Sequence, residues 1–329
     1  MSAAAIPIRV CLVGLGAIGR EVQKALATRA NLRLVSVVDP AWVGRDAGEA
    51  AGMDRNGIAI VGSIAEGLGA GVDVALVMTG SSTADMLPVV EAAAAVGVDV
   101  VSSCEDLAYA RLATPDLADA INARAWAGDI TVLGTGVNPG FVMDRLPLHL
   151  AGACVSVNAV RVERVVDAAK RRGPLRAKVG ADLTPDEFRA GVAARRLGHR
   201  GLPESCALVA LGLGFPLDEI KASIEPVVAT AEAPRAGIAV GRVAGLRQSA
   251  VGISGGRQVV RLDLEMSVAA PSPHDQVWID GDPPLDVRIE GGTHGDRGTV
   301  ATLLNAIPAV LGASPGLKTV LDLPLYGAR

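Results

Sequence analysis

At 329 residues the chain is about twice the commonest domain size, so two domains and a sizeable core are expected. Half of its residues are apolar but only 2% are aromatic, so that core must be built from Ala, Val, Leu and Ile. A net charge of −4 supplies no basic footprint for nucleic acid or an anionic membrane surface.

The four cysteines, Cys11, Cys104, Cys154 and Cys206, share neither a metal-ligand spacing nor a disulfide rhythm, so a reduced, cytoplasmic chain without a metal is expected. The opening MSAAAIPIR runs straight into a strand, with no charged leader, apolar stretch and cleavage site in order, so no export signal is expected. The Ala-rich stretch near residue 92 is short and bounded by Glu91 and Asp99, too little to span a bilayer.

Residues 10–13, short, apolar and β-branched, read as a buried parallel strand, and GLGAIG (14–19) follows it directly. Gly14 permits the tight turn, Gly16 lets the backbone approach a pyrophosphate, and Gly19 lets the next helix pack closely. Ala17 and Ile18 open that helix, residues 18–28, whose amino terminus offers free N–H donors. Residues 34–38 form the next strand and end in Asp39, about 20 residues beyond the fingerprint, where a carboxylate can accept both ribose hydroxyls of NAD. Arg45 is placed to neutralise the 2′-phosphate of NADP, so NAD or NADP is expected, with Asp39 favouring NAD.

Strand 74–78 ends in MTGSST (78–83), whose Thr79, Gly80 and Ser82 are placed to line the ribose and nicotinamide side; the plainer role for Ser82 is to cap helix 84–96. Strand 98–103 ends in Cys104 and Glu105, with Ser103 joining the cofactor set. Glu105 reads as an acid/base group, with helix starting as its structural alternative. Cys104 is a competing nucleophile if one of His149, His199, His274 or His294 serves it as base. After helix 115–127, strand 130–133 delivers GTGVNPGFVMD (134–144) to the same carboxyl edge, where ligands bind in open parallel sheets.

Beyond residue 150 the pattern changes. Residues 155–166 and 276–280 read as strands, and 184–197 and 204–213 as helices, the first opened by a capping box of Thr184 and Glu187. The basic cluster Lys170, Arg171, Arg172, Arg176 and Lys178 reads as a solvated loop. Val260, Leu262, Leu264, Met266 and Val268 alternate with polar residues, and Ser254, Gly255 and Gly256 mark the turn of a long hairpin with residues 238–253. Helix 299–311 is apolar enough to return to the first domain. The expected fold is therefore α/β: an amino-terminal Rossmann doubly wound parallel sheet (1–150), a carboxyl-terminal α+β domain with a mainly antiparallel sheet for substrate and dimerisation (151–298), and a returning helix and tail (299–329).

Five stretches carry a more specific signal: SSCEDL (102–107), GTGVNPGFVMD (134–144), VDAAKRRGPLRAKVG (166–180), GHRGLPES (198–205) and the long run from 291 to 325. Together they resemble the 2,4-diaminopentanoate dehydrogenase and native amine dehydrogenase family, within the wider dihydrodipicolinate-reductase-like fold. The resemblance implies an NAD(P)-dependent homodimer that interconverts an amine with a ketone or aldehyde plus ammonia. It places the catalytic glutamate on Glu105 and Asn138 near the nicotinamide and the substrate. It also puts Pro139, Phe141, Val142, Arg164, Val166 and His199 around the substrate. Where the diamino-acid enzymes carry an Asn two places after that arginine, this chain has Val166, which tilts the expectation toward uncharged carbonyl substrates. Two alternatives stay open at this point, another C=N or C=O reductase of dihydrodipicolinate-reductase type and a non-catalytic nucleotide-binding protein.

Overall fold

A computed structural model describes residues 6–69, 71–170, 178–232, 234–235 and 237–328. Of the basic cluster, Arg171, Arg172 and Arg176 lie outside the described residues. By contacts the chain forms two compact units, Met1–Phe141 with His294–Arg329, and Val142–Thr293. These divisions fall a few residues before the expected 150 and 298.

The first unit is built on a parallel sheet. Its strands are β1 (Ile8–Val13), β2 (Leu32–Val38), β3 (Ile60–Val61), β4 (Val74–Val77), β5 (Asp99–Ser102), β6 (Thr131–Gly134) and the last strand of the chain, β13 (Gly316–Lys318). Their order is β13-β6-β5-β4-β1-β2-β3, all parallel, and the direction of winding reverses between β1 and β4. The strands are apolar throughout because both faces are covered. Val10, Leu12, Leu76, Val101 and Leu133 pack on one side with Leu303, Leu304 and Ile307, while Cys11, Val13, Val77, Val100 and Val132 pack on the other with Met86, Val90 and Ile121.

The helix Gly295–Leu311 earns its place by spacing: Val300, Leu303, Leu304, Ile307 and Val310 recur three and four apart, and all are buried. Each such aliphatic side chain contributes roughly 1.5–3 kcal/mol on burial. His294 caps the helix, its Nδ1 accepting the Arg297 amide at 3.3 Å, which gives that histidine a structural task.

The second unit carries β7 (Ser156–Asp167), β8 (Glu219–Val228), β9 (Val243–Ser254), β10 (Arg257–Ser267), β11 (His274–Asp282) and β12 (Leu285–Glu290) in the order β12-β11-β7-β10-β9-β8. Only β7 and β10 pair in parallel, so the sheet is mainly antiparallel. The expected hairpin is β9 and β10, joined by Gly255 and Gly256, both at positive φ as a tight two-residue turn requires. Alternation sends Val160, Val162, Leu262, Leu264, Leu246 and Ala250 inward. The other face is charged: Arg161 bonds Glu163 at 2.7 Å and Asp263 at 3.3 Å, and Arg247 bonds Glu265 at 2.7 Å. Helix Pro185–Ala193 starts at the expected capping box, Thr184 accepting the Glu187 amide while Glu187 accepts that of Thr184.

Among the described residues, no helix is long and apolar enough to cross a membrane.

Candidate active site

The first unit gathers its chemistry where β1, β2, β4, β5 and β6 end. Gly14 leaves β1 at φ +93°, its amide bonded to the Val38 carbonyl at 2.8 Å; a Cβ there would meet the Met78 carbonyl oxygen at 2.8 Å, so only glycine fits. At Gly19 a Cβ would strike the Gly14 carbonyl, which is why helix Ala17–Leu26 can lie so close to the turn. Gly16 differs. It caps that helix without any side-chain hydrogen bond, and a Cβ added to it would meet nothing within 4 Å. Gly16 and Ala17 are exposed and Ile18 is half-buried, leaving an open cradle whose first-turn amides suit a dinucleotide's pyrophosphate.

Asp39 closes β2 with both carboxylate oxygens engaged, Oδ2 accepting the Leu15 amide at 2.7 Å and Oδ1 that of Ala41 at 2.9 Å. Leu15 was not visible as a partner from sequence, since the contact requires β1 and β2 to lie side by side. Beyond Asp39, the guanidiniums of Arg20 and Arg45 lie 5.2 and 4.5 Å from the centre of the Trp42 ring.

Thr79, Gly80 and Ser82 follow β4 on the same edge, and Ser82 accepts the Ala84 amide at 3.3 Å as the cap of helix Thr83–Ala94. The Ser103 amide bonds the Val77 carbonyl at 3.0 Å, so β5 ends beside β4 and brings Glu105 forward, half-buried at the head of a 3-10 helix. Cys104 points inward and is 1% exposed; burial pushes its thiol up to about 12, and Cys11 and Cys206 are raised the same way. A thiol in that state supplies almost no thiolate at neutral pH, so Cys104 is not an activated nucleophile.

After β6, Asn138 and Pro139 join through a cis peptide bond in a buried loop, and the Val137 amide donates to Thr299 Oγ1 at 3.3 Å. At Gly140, φ is +123° and a Cβ would meet Thr135 Oγ1 at 2.5 Å. Phe141 closes this loop, half-buried.

In the second unit, Val142 is fully buried and Arg164 is turned to the protein. Its guanidinium bonds Asp275 Oδ1 at 2.6 Å and the Thr293 carbonyl at 2.8 Å, while Asp275 Oδ2 accepts the Thr293 amide at 2.6 Å. Both charged side chains are almost completely buried. His199 is held by its backbone: the Gln248 amide accepts from its N–H at 3.1 Å and donates to its carbonyl at 2.8 Å. A small cavity of about 10 Å³, room for about one water, lies beside it, lined by Lys178, Val179, Gly198, His199, Leu246 and Met266. Val166 pairs in register with Met266, on a neighbouring strand of the same sheet. Lys178, expected in a solvated loop, thus forms part of a cavity wall; Gln248, far off in sequence, gave no signal at all.

The order of the parallel sheet, the glycine cradle at its reversal and the acid closing β2 define a Rossmann-type dehydrogenase using a nicotinamide cofactor. Residues 141–329 match the family model of the 2,4-diaminopentanoate dehydrogenase C-terminal domain, and residues 8–106 that of the dihydrodipicolinate reductase N-terminus. A 2,4-diaminopentanoate dehydrogenase of Acetoanaerobium sticklandii is 30% identical over 97% of this chain and 94% of its own length. An amine dehydrogenase of Streptomyces virginiae is 28% identical over 96% of each. The structure of an amine dehydrogenase from Mycobacterium smegmatis has the same fold, with a TM-score of 0.86 at 24% identity over 99% of this chain and 98% of that one. The chain belongs to the 2,4-diaminopentanoate dehydrogenase family and is an NAD(P)-dependent oxidoreductase acting on CH–NH2 groups.

Proposed function

We propose that this chain aminates small, uncharged ketones or aldehydes with ammonia, and deaminates the corresponding primary amines in reverse, with Glu105 as the acid/base group. The observation that carries this reading is the company Glu105 keeps: a half-buried carboxylate on the edge that holds the glycine cradle and the Asn138 loop, next to a cysteine that burial has silenced. The nicotinamide supplies the hydride. Gly14, Gly16, Ala17, Ile18 and Gly19 hold the pyrophosphate, Asp39 the adenosine ribose, and Thr79, Gly80, Ser82 and Ser103 the approach to the nicotinamide. Glu105 takes a proton from ammonium to free the attacking lone pair, returns a proton so that the carbinolamine loses water, and stabilises the cationic iminium carbon electrostatically.

For the carbonyl partner this reading takes Asn138, Pro139 and Phe141 from the first unit, and from the second it takes Val142, Val166 and His199, the residues the family resemblance names. Arg164 acts through the position of Thr293 and its loop, because the donors seen here serve Asp275 and the Thr293 carbonyl. NAD(H) is favoured by the Asp39 carboxylate, with NADP(H) also accepted. The working form is a homodimer in the cytoplasm, the second sheet facing the partner; light scattering at micromolar concentration checks it. The decisive assay follows cofactor oxidation with ammonia and a panel of ketones and aldehydes. Turnover of a carbonyl only when ammonia is present supports amination, and equal turnover without ammonia would make the chain a simple carbonyl reductase.

A further inference from the structure

Thr135, the residue after β6, is 3% exposed, yet its hydroxyl has no hydrogen-bond partner among the described residues. Several hydroxyls of the same unit are engaged. Thr131 Oγ1 donates to the Ser314 carbonyl at 3.1 Å and Ser102 Oγ to that of Val77 at 3.1 Å, while Thr299 Oγ1 accepts the Val137 amide at 3.3 Å. Thr83, at the head of helix Thr83–Ala94, is the other buried threonine without a partner among the described residues, and it too stands on the carboxyl edge of the sheet. A buried hydroxyl left unanswered is unfavourable, and native chains keep few of them. Those they keep gather at functional sites, where the group serves a state other than the empty one.

The idle hydroxyl does not belong to a loose segment. The Thr135 amide donates to the Ser102 carbonyl at 2.9 Å, and the next residue but one, Val137, is tied to Thr299. At Gly134 a Cβ would meet the Leu107 carbonyl carbon at 2.6 Å, so the end of β6 lies hard against the 3-10 helix that begins with Glu105. What covers the hydroxyl is a glycine. Gly140 has φ +123°, and a Cβ on it would meet Thr135 Oγ1 at 2.5 Å as well as the backbone of Gly136. Glycine turns at little cost, so a small shift of residues 138–140 brings a backbone amide or carbonyl into line with Oγ1, which can donate once and accept twice. We propose that Thr135 is a positioning residue, its hydroxyl bonding the loop 138–140 when the nicotinamide cofactor is bound and holding Asn138 against the nicotinamide. This rests on the reading that sets the Asn138 loop beside the nicotinamide. A bond made only in the loaded state adds to cofactor affinity and nothing to the stability of the free chain.

The test compares the full chain with two variants. Thr135→Val replaces the hydroxyl by a methyl of similar size, and Thr135→Ser keeps the hydroxyl while deleting a buried methyl. Calorimetry of the cofactor-free proteins gives Tm; titrations with NADH, and with AMP, which reaches the glycine cradle but has no nicotinamide, give Kd. Thr135→Val should melt no lower than the parent, bind AMP as the parent does, and bind NADH roughly 3- to 10-fold more weakly, the scale of one hydrogen bond. Thr135→Ser should show the reverse, a lower Tm with NADH affinity close to that of the parent. A lower Tm in Thr135→Val would mean that the hydroxyl is already bonded in the free chain, and an equal loss of AMP and NADH would mean a general loosening of the fold; either overturns the proposal, as does an unchanged Kd for NADH. A parent that binds NADH no more tightly than AMP would instead remove the placement of the loop beside the nicotinamide, and the positioning role with it.

Discussion

The carboxylate of Asp39 accepts the backbone amide of Leu15 at 2.7 Å, so the acid that ends β2 braces the glycine turn that ends β1. Sequence alone assigns Asp39 to a ribose; the fold gives it a second task that precedes ligand binding. Asp39→Ala should therefore weaken both cofactors by loosening the turn, and weaken NADH more, moving the ratio toward NADPH. Asp39→Asn keeps an acceptor for Leu15 and should shift the ratio with less overall loss. Dissociation constants from NAD(P)H fluorescence decide the matter, and an unchanged ratio in both variants would mean that the carboxylate never meets the ribose.

Glu105→Gln keeps the size of the side chain and removes its charge and its basicity. Amination should fall by ~10²-fold or more, the lower range for acid–base catalysis, while NADH binding stays normal. Near-normal turnover in this variant would sink the assignment.

For the Arg164–Asp275 pair, removing one partner leaves a buried charge unanswered, at a cost of about 3–5 kcal/mol. Arg164→Met and Asp275→Leu should each lower Tm sharply, and the double variant should recover part of the loss. The informative readout is the double-mutant cycle by calorimetry; simple additivity would show that the two charges do not act as a pair.

Substrate range follows from what the second unit presents. Val166 offers no hydrogen bond and Arg164 faces Asp275, so cyclohexanone or a short aldehyde should show a higher kcat/KM than 2-amino-4-oxopentanoate. Val166→Asn should narrow that gap. A preference for the keto acid in the unaltered enzyme would overturn this reading of the second unit.

Asp99 supplies a pH signature. Burial raises its carboxyl from 3.8 to about 6, with Asp129 adding to the rise and the Thr131 amide opposing it. The folded chain thus holds a proton that the unfolded chain has already released, so this group's contribution to stability is full below pH 3.8 and declines as the pH rises to about 6. Asp99→Asn, which mimics the protonated form, should unfold at a higher temperature than the parent at pH 7.5 and at the same temperature near pH 3.5. A constant difference across that range would show that Asp99 is not responsible.

Much of the first unit was legible because its demands are local. Buried parallel strands must be apolar on both faces, and Gly14 and Gly19 sit where any side chain would strike backbone. What escaped was short or polar. Ile60–Val61 and Gly316–Lys318 are too brief to carry a period, and Glu219–Val228, an edge strand containing Pro226, shows too few inward apolar positions to be read as one. Partnerships across the fold escaped as well. Arg164 and Asp275 are 111 residues apart, and nothing in either neighbourhood announces the other. The same holds for Arg20 against Trp42, whose meeting depends on where a helix ends up relative to a loop.

The division of the chain has a consequence for its birth on the ribosome. Val142–Thr293 is one uninterrupted stretch, whereas the first unit is begun early and finished late. Until residues 300–323 are translated, one face of its sheet lacks Leu303, Leu304, Ile307, Val310 and Leu323. A nascent chain halted before that point leaves Leu12, Leu76 and Leu133 without that cover, bare aliphatic surface of the kind that favours aggregation.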